Sequence, residues 1–395
     1  MRRRFSYALV GVVLMLFAGF VYAWSVLSAP IAAEFSGWSN AQLSLTFTLC
    51  MAFFCLGGMA AGLLAQRIPV RINVRISALL FLVGFFLTSR TQSLSQLYVG
   101  YGVLCGTASG FAYNSIMNVM PQWFPDRPGL ISGVLLMGFG ASSMVIGAAF
   151  TAVTGNAAGA WRTTLMAMGV LMAALLFAGS FAFRLPKPGE LPAARAAAAA
   201  EGPEFTTGQM LRRPSFWLFF LWAVCLSAAG LVVIAQARGI ARTVNPDMDA
   251  GALSLAVGLI SVCNGLGRVL FGALFDRRGR KTAMSLVLAS FAVGNGLLLL
   301  ALRGTPSLLL PGFVLIGLGY GGGPTMSASV TRSFYGRKNY PVNFSVVNLN
   351  LLVGSFASTA AGGIFDATGS YTTVFALLFV LIAAALAAML AIRKP

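Results

Sequence analysis

Twelve long apolar segments restrict the fold of this chain more than any other feature. Most of them reach the ~20 residues that a helix needs to cross a membrane. They are continuously apolar, whereas the strands of an outer-membrane barrel alternate between apolar and polar residues. With 58% hydrophobic and 9% charged residues, the chain is predicted to be an all-α, polytopic membrane protein. The segments, called one to twelve below, cover roughly residues 5–31, 40–64, 72–90, 94–120, 128–154, 161–184, 214–236, 250–274, 282–302, 306–332, 341–364 and 371–391.

The basic residues are distributed unequally between the two sides of the membrane. Of the 27 Lys and Arg residues, 21 fall at the termini or in loops on one side, and five fall on the other side. The remaining cation, Arg268, lies within segment eight. Because Lys and Arg favour cytoplasmic loops, we predict cytoplasmic termini in the cell inner membrane. The net charge of +18 then reflects topology and contact with the lipid bilayer, and no nucleic-acid partner is expected.

Two repeated motifs indicate that the chain consists of two similar halves. The sequence GLLAQRIPVR from Gly62 is echoed 210 residues later by GALFDRRGRK from Gly272. The sequence QWFPDRPG is echoed by RSFYGRKN, with an offset of 211 between their aromatic pairs. We therefore predict two six-helix halves, 1–184 and 214–395, joined by a cytoplasmic linker, 185–213, that is rich in Pro, Ala and charge. Such repeats are typical of carriers with a substrate site near the midplane between the halves.

Several motifs give the chain a family resemblance along nearly its whole length. The loop GALFDRRGRK resembles the signature of the major facilitator superfamily. The stretches YAWSVLSAPIAAEFSGWS, GFAYNSIMNVMPQWFPDRPGLISG, NGLGRVLFGALFDRRGRK and GRKNYPVNFSVVNLNLL are similar to motifs of the oxalate/formate antiporter and bacterial monocarboxylate transporter group. The resemblance implies a carrier of small organic anions that works by alternating access. It also implies a conformational role for the loop residues Gly272, Asp276, Arg277 and Arg280.

Arg268 stands alone among apolar and glycine residues in segment eight, and it is the first candidate for substrate binding. A buried charge is costly unless it is paired or hydrated, and a guanidinium matches a carboxylate with two parallel hydrogen bonds. The sequence alone leaves open that Arg268 instead snorkels toward the cytoplasm, about 9 Å from the helix centre. The resemblance implies the substrate-binding role. Asn264 lies one turn earlier on the same face and is either a second donor or a helix-packing residue.

Four further polar residues are candidates for substrate contacts, and each also has a packing interpretation. Tyr113 and Asn114 lie in segment four, where a Tyr–Asn pair can hydrogen-bond a carboxylate or a hydroxyl. The alternative is that they join neighbouring helices. Tyr22 and Tyr320 are weaker candidates, because tyrosine is also common at membrane interfaces.

Segment eleven contains two asparagines and lacks a second cation. Asn348 and Asn350 are two positions apart, so only one of them is expected to face a cavity. Dicarboxylate-handling members of the group carry a lysine in this segment, and the corresponding position here is Leu351. One cation balances one carboxylate, so a dianion would keep an uncompensated charge at low dielectric. We therefore favour monocarboxylates such as lactate, pyruvate, formate or a 2-hydroxy acid, with oxalate/formate-type antiport as an alternative.

The distribution of acids argues against other classes of function. The chain has no His, and its nine Asp and Glu residues fall in loops or at helix ends. No metal, cofactor or enzyme activity is therefore expected. A multidrug exporter is a weaker alternative, because such carriers usually need a buried acid. We expect a monomer that exchanges one anion for another, since a bound anion would neutralise Arg268 during reorientation. Proton symport is the alternative mode of coupling.

Overall fold

The protein is entirely helical in the computed structural model, which describes residues 2–38, 40–155, 159–186, 190 and 204–395. No strand occurs within those ranges, so the predicted all-α class is confirmed. Most of the predicted linker, 187–189 and 191–203, lies outside the described residues.

All twelve predicted segments contain helix, and two of the first six are interrupted. A 3-10 turn divides segment one, and a π-helix follows the start of segment four. The helices of segments one to six are Arg2–Ala18, Gly19–Ala23, Trp24–Glu34, Asn40–Leu64, Val70–Ser89, Leu94–Leu97, Tyr98–Cys105, Gly106–Trp123, Pro128–Thr154 and Ala160–Ser180. The later helices are Thr207–Leu211, Pro214–Val244, Ala250–Leu302, Pro306–Leu308, Leu309–Tyr335, Tyr340–Thr368 and Thr372–Ala391.

Among the described residues, ten helices are long and apolar enough to cross a membrane. Segments eight and nine form one of the ten, because Ala250–Leu302 is broken only by non-helical backbone at Gly279 (φ 76°, ψ 179°). Segment four is not among them, because its helix Gly106–Trp123 is rich in polar residues such as Asn114 and Asn118. The ten spans are therefore compatible with the twelve predicted segments.

Packing contacts divide the chain into two compact units. Unit 1 comprises Met1–Asp126, Gly138–Glu201 and Tyr340–Val346. Unit 2 comprises Arg127–Met137, Gly202–Asn339 and Val347–Pro395. Each unit contains most of one predicted half, and the helices of segments five and eleven are shared between the units. The two halves, 1–184 and 214–395, were inferred from sequence repeats, and their boundaries stay a prediction.

In unit 1, glycines bring segments two and four into backbone contact. A Cβ atom at Gly57 would stand 2.6 Å from the carbonyl oxygen of Thr107. A Cβ atom at Gly110 would overlap the carbonyl oxygen of Phe54. Such close approach is available only to helices that present small residues to each other.

Segments eight and ten of unit 2 pack in the same way at the repeated positions. A Cβ atom at Gly267, 210 residues after Gly57, would overlap the carbonyl oxygen of Leu318. A Cβ atom at Gly321, 211 residues after Gly110, would overlap the carbonyl oxygen of Asn264. The internal repeat therefore includes the helix-packing positions and not only the loop motifs.

Candidate functional site

Arg268 is one of the most deeply buried large side chains of unit 2, with 2% of its surface exposed. Its Nε donates to Oδ1 of Asn264, one helical turn earlier, at 3.3 Å. Its Nη1 donates to the backbone carbonyl of Leu136 in segment five. The guanidinium therefore points toward neighbouring protein groups of unit 2, and it is held in one orientation from two sides.

Small residues on segments five and ten make room for the backbone at Arg268. A Cβ atom at Gly133 would overlap the carbonyl oxygen of Arg268, and one at Gly321 would lie 2.9 Å from its backbone nitrogen. The hydroxyl of Thr325 donates to the same Arg268 carbonyl at 3.2 Å. Segments five and ten therefore pack closely against the helix backbone at Arg268. This packing restricts where the guanidinium can lie.

The charge of Arg268 has no acidic partner in the described part of the chain. The ion pairs found there are Arg4–Asp126, Arg162–Glu34 and Arg184–Glu190. A guanidinium has five N–H donors, and the two bonds described above use two of them. Donors therefore remain on Arg268 for an anionic ligand. Arg332 is also buried, but it lies in the last turn of its helix, where a cation interacts favourably with the helix dipole.

Asn264 contacts Arg268 as an acceptor. Because its Oδ1 receives the Arg268 Nε–H, the side-chain amide orients the arginine on its own helix. Its Nδ2 group is the part that could act as the predicted second donor. The two residues share one helical face, as the four-residue spacing predicts.

The two asparagines of segment eleven differ in their hydrogen bonds. Asn350 accepts from the Ser227 hydroxyl at 2.6 Å and donates to the Val347 carbonyl at 2.6 Å. Asn348 is 5% exposed, and its buried Oδ1 has no hydrogen-bond partner among the described residues. Asn350 therefore joins segments seven and eleven, and Asn348 keeps a polar atom that a ligand or water could engage.

The predicted site residues of unit 1 are tied into helix packing. Asn114 Nδ2 donates to the Pro341 carbonyl at 2.8 Å and to the Ser345 hydroxyl at 2.6 Å. Its Oδ1 is buried without a partner in the described chain. The ring of Tyr113 stacks with Phe344 at 5.7 Å. Asn114 Oδ1 is therefore an acceptor that helix packing within the described chain does not use.

The two weaker tyrosine candidates are packed against aromatic or glycine positions. Tyr22 lies in the 3-10 turn of segment one, and its ring meets Phe139 edge-on at 5.5 Å. Tyr320 is 5% exposed and packs so closely on Gly230 that a Cβ atom there would overlap its ring. A substrate role for either tyrosine stays a prediction.

Two of the predicted conformational residues join segments eight and five. The carboxylate of Asp276 accepts from the backbone N–H groups of Gly129 at 2.9 Å and Leu130 at 2.7 Å. These groups lie at the start of the helix Pro128–Thr154, where a negative charge is favourable. Nearby, a Cβ atom at Gly272 would overlap the Gly129 carbonyl oxygen. Asp276 and Gly272 therefore hold the start of segment five in unit 2.

The two arginines of this loop that were predicted to have a conformational role lie in different surroundings. Arg280 donates to the Ile392 carbonyl at 3.3 Å, and its guanidinium lies 5.3 Å from the ring centre of Phe334. Arg277 is exposed. Arg280 thus connects the loop to the end of segment twelve, and the predicted conformational role of Arg277 stays a prediction.

Sequence reasoning missed the partners that segments five and eleven supply. Gly129 and Gly133 form a G-x-x-x-G spacing, which could have indicated close helix approach. The Leu136 carbonyl and the Ser345 hydroxyl carry no comparable sequence feature. No cluster of three His, Cys, Asp or Glu residues that could hold a metal occurs in the described ranges.

Comparison with known proteins reveals several transporters similar to this chain. It is 26% identical over 348 residues to the uncharacterized MFS-type transporter YhjX of Escherichia coli, covering 88% of this chain and 85% of that protein. It is 27% identical over 293 residues to the oxalate:formate antiporter of Oxalobacter formigenes, covering 73% and 68%. It is 25% identical over 373 residues to monocarboxylate transporter 12-B of Danio rerio, covering 87% and 76%.

Solved structures of transporters share the fold. The fucose:proton symporter FucP of E. coli aligns with a TM-score of 0.71 at 14% identity over 99% of both chains. A bacterial homologue of the iron transporter ferroportin aligns with a TM-score of 0.70 at 17% identity, over 99% of this chain and 98% of the other. The family model of the Major Facilitator Superfamily matches residues 9–241 and 231–395. This chain therefore belongs to the Major Facilitator Superfamily, and it is a multi-pass membrane transporter rather than an enzyme.

Proposed function

We propose that this transporter carries small organic anions, preferentially monocarboxylates such as lactate, pyruvate or formate, and that Arg268 binds the substrate carboxylate. The observation that supports this proposal is a deeply buried guanidinium that no acid in the described chain neutralises. An uncompensated charge in such surroundings costs several kcal/mol, so its retention favours a ligand of opposite charge.

The orientation of Arg268 suits carboxylate recognition. Asn264 and the Leu136 carbonyl hold the guanidinium from two sides, through Nε and Nη1. The remaining donors can form the paired, parallel hydrogen bonds that a carboxylate accepts. A side chain already held in place loses little conformational freedom on binding, which favours affinity.

The preference for a single carboxylate rests on the charges of unit 2. Leu351, at the position predicted for a second cation, is an apolar residue with 8% exposure. A dianion bound by Arg268 alone would keep one charge without a counter-charge. The oxalate:formate antiporter and the monocarboxylate transporter among the relatives support an organic anion, and they keep dicarboxylate antiport as the second candidate.

The binding role of Arg268 can be tested in the purified protein with Arg268→Lys. Lysine keeps the charge but loses the planar fork, so we expect the Kd for monocarboxylates to rise by about tenfold or more, equivalent to about 1.4 kcal/mol. Binding is measured by thermal shift with formate, lactate, pyruvate, oxalate and malonate at equal concentrations. The exposed Arg303→Lys is the matched control.

Each outcome of that panel separates the candidate functions. Wild-type affinity in Arg268→Lys would contradict carboxylate binding by Arg268. Stronger stabilisation by oxalate or malonate than by formate or lactate would favour the dicarboxylate antiporter. Stabilisation by a hydrophobic cation such as ethidium, and by no anion, would favour a multidrug exporter.

We further propose that the transporter exchanges one anion for another. Reorientation of the empty carrier would enclose an unpaired guanidinium, whereas a bound monoanion cancels its charge. In proteoliposomes, labelled formate or lactate should enter several-fold faster when unlabelled monocarboxylate is present inside. Equal rates with and without internal anion, driven by an imposed pH gradient, would indicate proton symport instead.

We also propose a membrane topology and an oligomeric state for this transporter. The excess of Lys and Arg on one side supports cytoplasmic termini in the inner membrane, with residues 185–213 joining the two halves. The proposed functional form is a monomer. Labelling of single cysteines introduced near each terminus, from either side of the membrane, tests this topology.

A further inference from the structure

Residues 204–213, which precede segment seven, are bonded to the loop between segments ten and eleven of the same unit. Both carboxylate oxygens of Glu204 accept from the backbone N–H of Arg337, at 2.8 and 3.0 Å, and one also accepts from the N–H of Lys338 at 2.9 Å. The Phe205 N–H donates to the Tyr335 carbonyl at 3.1 Å. The Asn339 amide donates to the Phe205 carbonyl at 3.1 Å. Residues 204–205 and 335–339 therefore form one hydrogen-bonded assembly.

Local backbone conformation favours this assembly on both sides, at the loop 335–339 and at residues 204–209. The helix Leu309–Tyr335 ends at Gly336, whose φ of 85° lies in the region that favours glycine, and the next two N–H groups face a common acceptor. Such successive N–H groups bind anions. On the other side, Thr206 and Gln209 form a capping box that starts the helix Thr207–Leu211.

Ring contacts add to the hydrogen bonds. Phe205 meets Tyr335 edge-on at 6.0 Å, and the guanidinium of Arg213 lies 5.2 Å from the Phe205 ring centre. The Tyr335 hydroxyl is 3.1 Å from the Ser215 hydroxyl. Ring contacts and a contact between two hydroxyls therefore attach the loop to the start of segment seven, in addition to the Glu204 carboxylate.

Unit 1 contains a counterpart with the charges reversed. Arg4, before segment one, pairs with Asp126 in the loop between segments four and five at 2.9 Å. The Arg4 guanidinium also lies 4.9 Å from the ring centre of Phe124. A charged residue near the start of the first helix of each half thus binds the loop before the fifth helix of that half.

Both loops lie where the chain passes from one packing unit to the other. Asp126 is the last residue of its stretch of unit 1, and Asn339 is the last residue of its stretch of unit 2. The next helix, Pro128–Thr154 or Tyr340–Thr368, begins within two residues of each loop. A loop held firmly to its own unit therefore fixes the position at which that helix begins.

We propose that Glu204 is a positioning residue of the transport cycle, which latches the loop 335–339 to the start of segment seven and thereby fixes where helix Tyr340–Thr368 begins. This latch is defined by Glu204 and the N–H groups of Arg337 and Lys338. It is a property beyond substrate recognition, and it holds whichever solute is carried.

The latch can be tested by trypsin cleavage after Arg337 and Lys338 in the detergent-purified, full-length protein. With Glu204→Ala, we expect several-fold faster cleavage at these two sites, and Glu204→Gln, which keeps one acceptor oxygen, should cleave at an intermediate rate. Glu190→Ala is the matched control, because Glu190 is an acid of the linker region that pairs with Arg184 in unit 1. Lys338→Ala should also leave cleavage after residue 337 slow, since the bonds use backbone N–H groups.

A transport measurement separates positioning from folding. The labelled anion that gives the fastest exchange in the wild type should show a several-fold lower maximal rate with Glu204→Gln and an unchanged KM. Wild-type cleavage rates in Glu204→Ala would overturn the latch, and faster cleavage with a wild-type maximal rate would overturn its role in transport. If no anion of the panel is transported, the proposed substrate class fails, and the cleavage comparison alone decides the latch.

Discussion

Two helix junctions at repeated positions differ in charge, and the difference separates a structural contact from the proposed ligand-binding one. In unit 1, the hydroxyl of Ser345 donates to the Gly58 carbonyl at 2.9 Å and accepts from the Asn114 amide. In unit 2, Arg268 stands 210 residues after Gly58 and donates to the Leu136 carbonyl. The corresponding crossing of helices is thus made by a neutral hydroxyl in unit 1 and by a guanidinium in unit 2.

The two junctions also differ in how completely their polar groups are used. The single O–H of Ser345 is shared between the carbonyls of Gly58 and Pro341, so its donor capacity is used in packing. Within the described chain, Arg268 makes two hydrogen bonds. Its other N–H donors and its positive charge are not used there. A buried polar group with excess capacity costs free energy, and such groups are commonly retained for function.

The largest effect is expected from a methyl group added where segment five meets Arg268. In Gly133→Ala, the new Cβ would overlap the Arg268 carbonyl oxygen, so the helices must separate, at a cost of roughly 1–3 kcal/mol. The unfolding temperature should fall and monocarboxylate transport should be lost. Gly58→Ala is the control, because its nearest neighbour would be 3.6 Å away. Equal losses of stability in both variants would show that the two junctions are packed alike.

A lysine at position 351 would increase the difference in charge between the two units at the predicted substrate site. Leu351→Lys should change the ratio of oxalate to formate affinity toward oxalate by about tenfold, or about 1.4 kcal/mol. The buried ammonium should also lower stability when no anion is bound. Thermal shifts measured with both anions give the ratio, and Leu351→Met controls for the change of shape. An unchanged ratio in a folded Leu351→Lys protein would contradict the charge-counting argument.

The smallest effect is expected at the neutral junction. Ser345→Ala removes the hydroxyl that bonds Gly58 and Pro341, so the free energy of unfolding should fall by about 1 kcal/mol. The Kd for formate should stay at the wild-type value, because this junction carries no charge that recognises an anion. A weaker formate affinity without a change in unfolding temperature would assign a binding role to unit 1.

The sequence predicted the fold class and family well because their determinants are local or repeated. Continuous apolar segments separated by basic loops indicate membrane helices whatever their tertiary contacts. The isolated Arg268 and its neighbour Asn264 could be paired from helical spacing alone, and the structure gives their Nε–Oδ1 contact at 3.3 Å. Segment four was harder to recognise by hydropathy, because its polar residues serve packing inside unit 1.

Residue identity did not reveal which polar groups each side chain would reach. Asn348 and Asn350 have the same chemistry, and only the position of Ser227 on segment seven commits Asn350 to packing. Asn114 was predicted either to bond substrate or to join neighbouring helices, and its amide hydrogens bond Pro341 and Ser345 in the folded chain. Such choices depend on helix rotation and register, which sequence spacing restricts but does not determine.

By itself, the sequence determined that this protein is a helical membrane carrier with one isolated arginine in its second half. Hydropathy, charge bias and internal repeats carry that information, because they reflect how each residue partitions between lipid and water. Only the tertiary structure decided that Arg268 meets the Leu136 carbonyl, 132 residues away, and that Glu204 binds the N–H groups of Arg337 and Lys338. Every residue has a carbonyl and nearly every residue an N–H, so only the packing of helices selects which of these backbone groups becomes a partner.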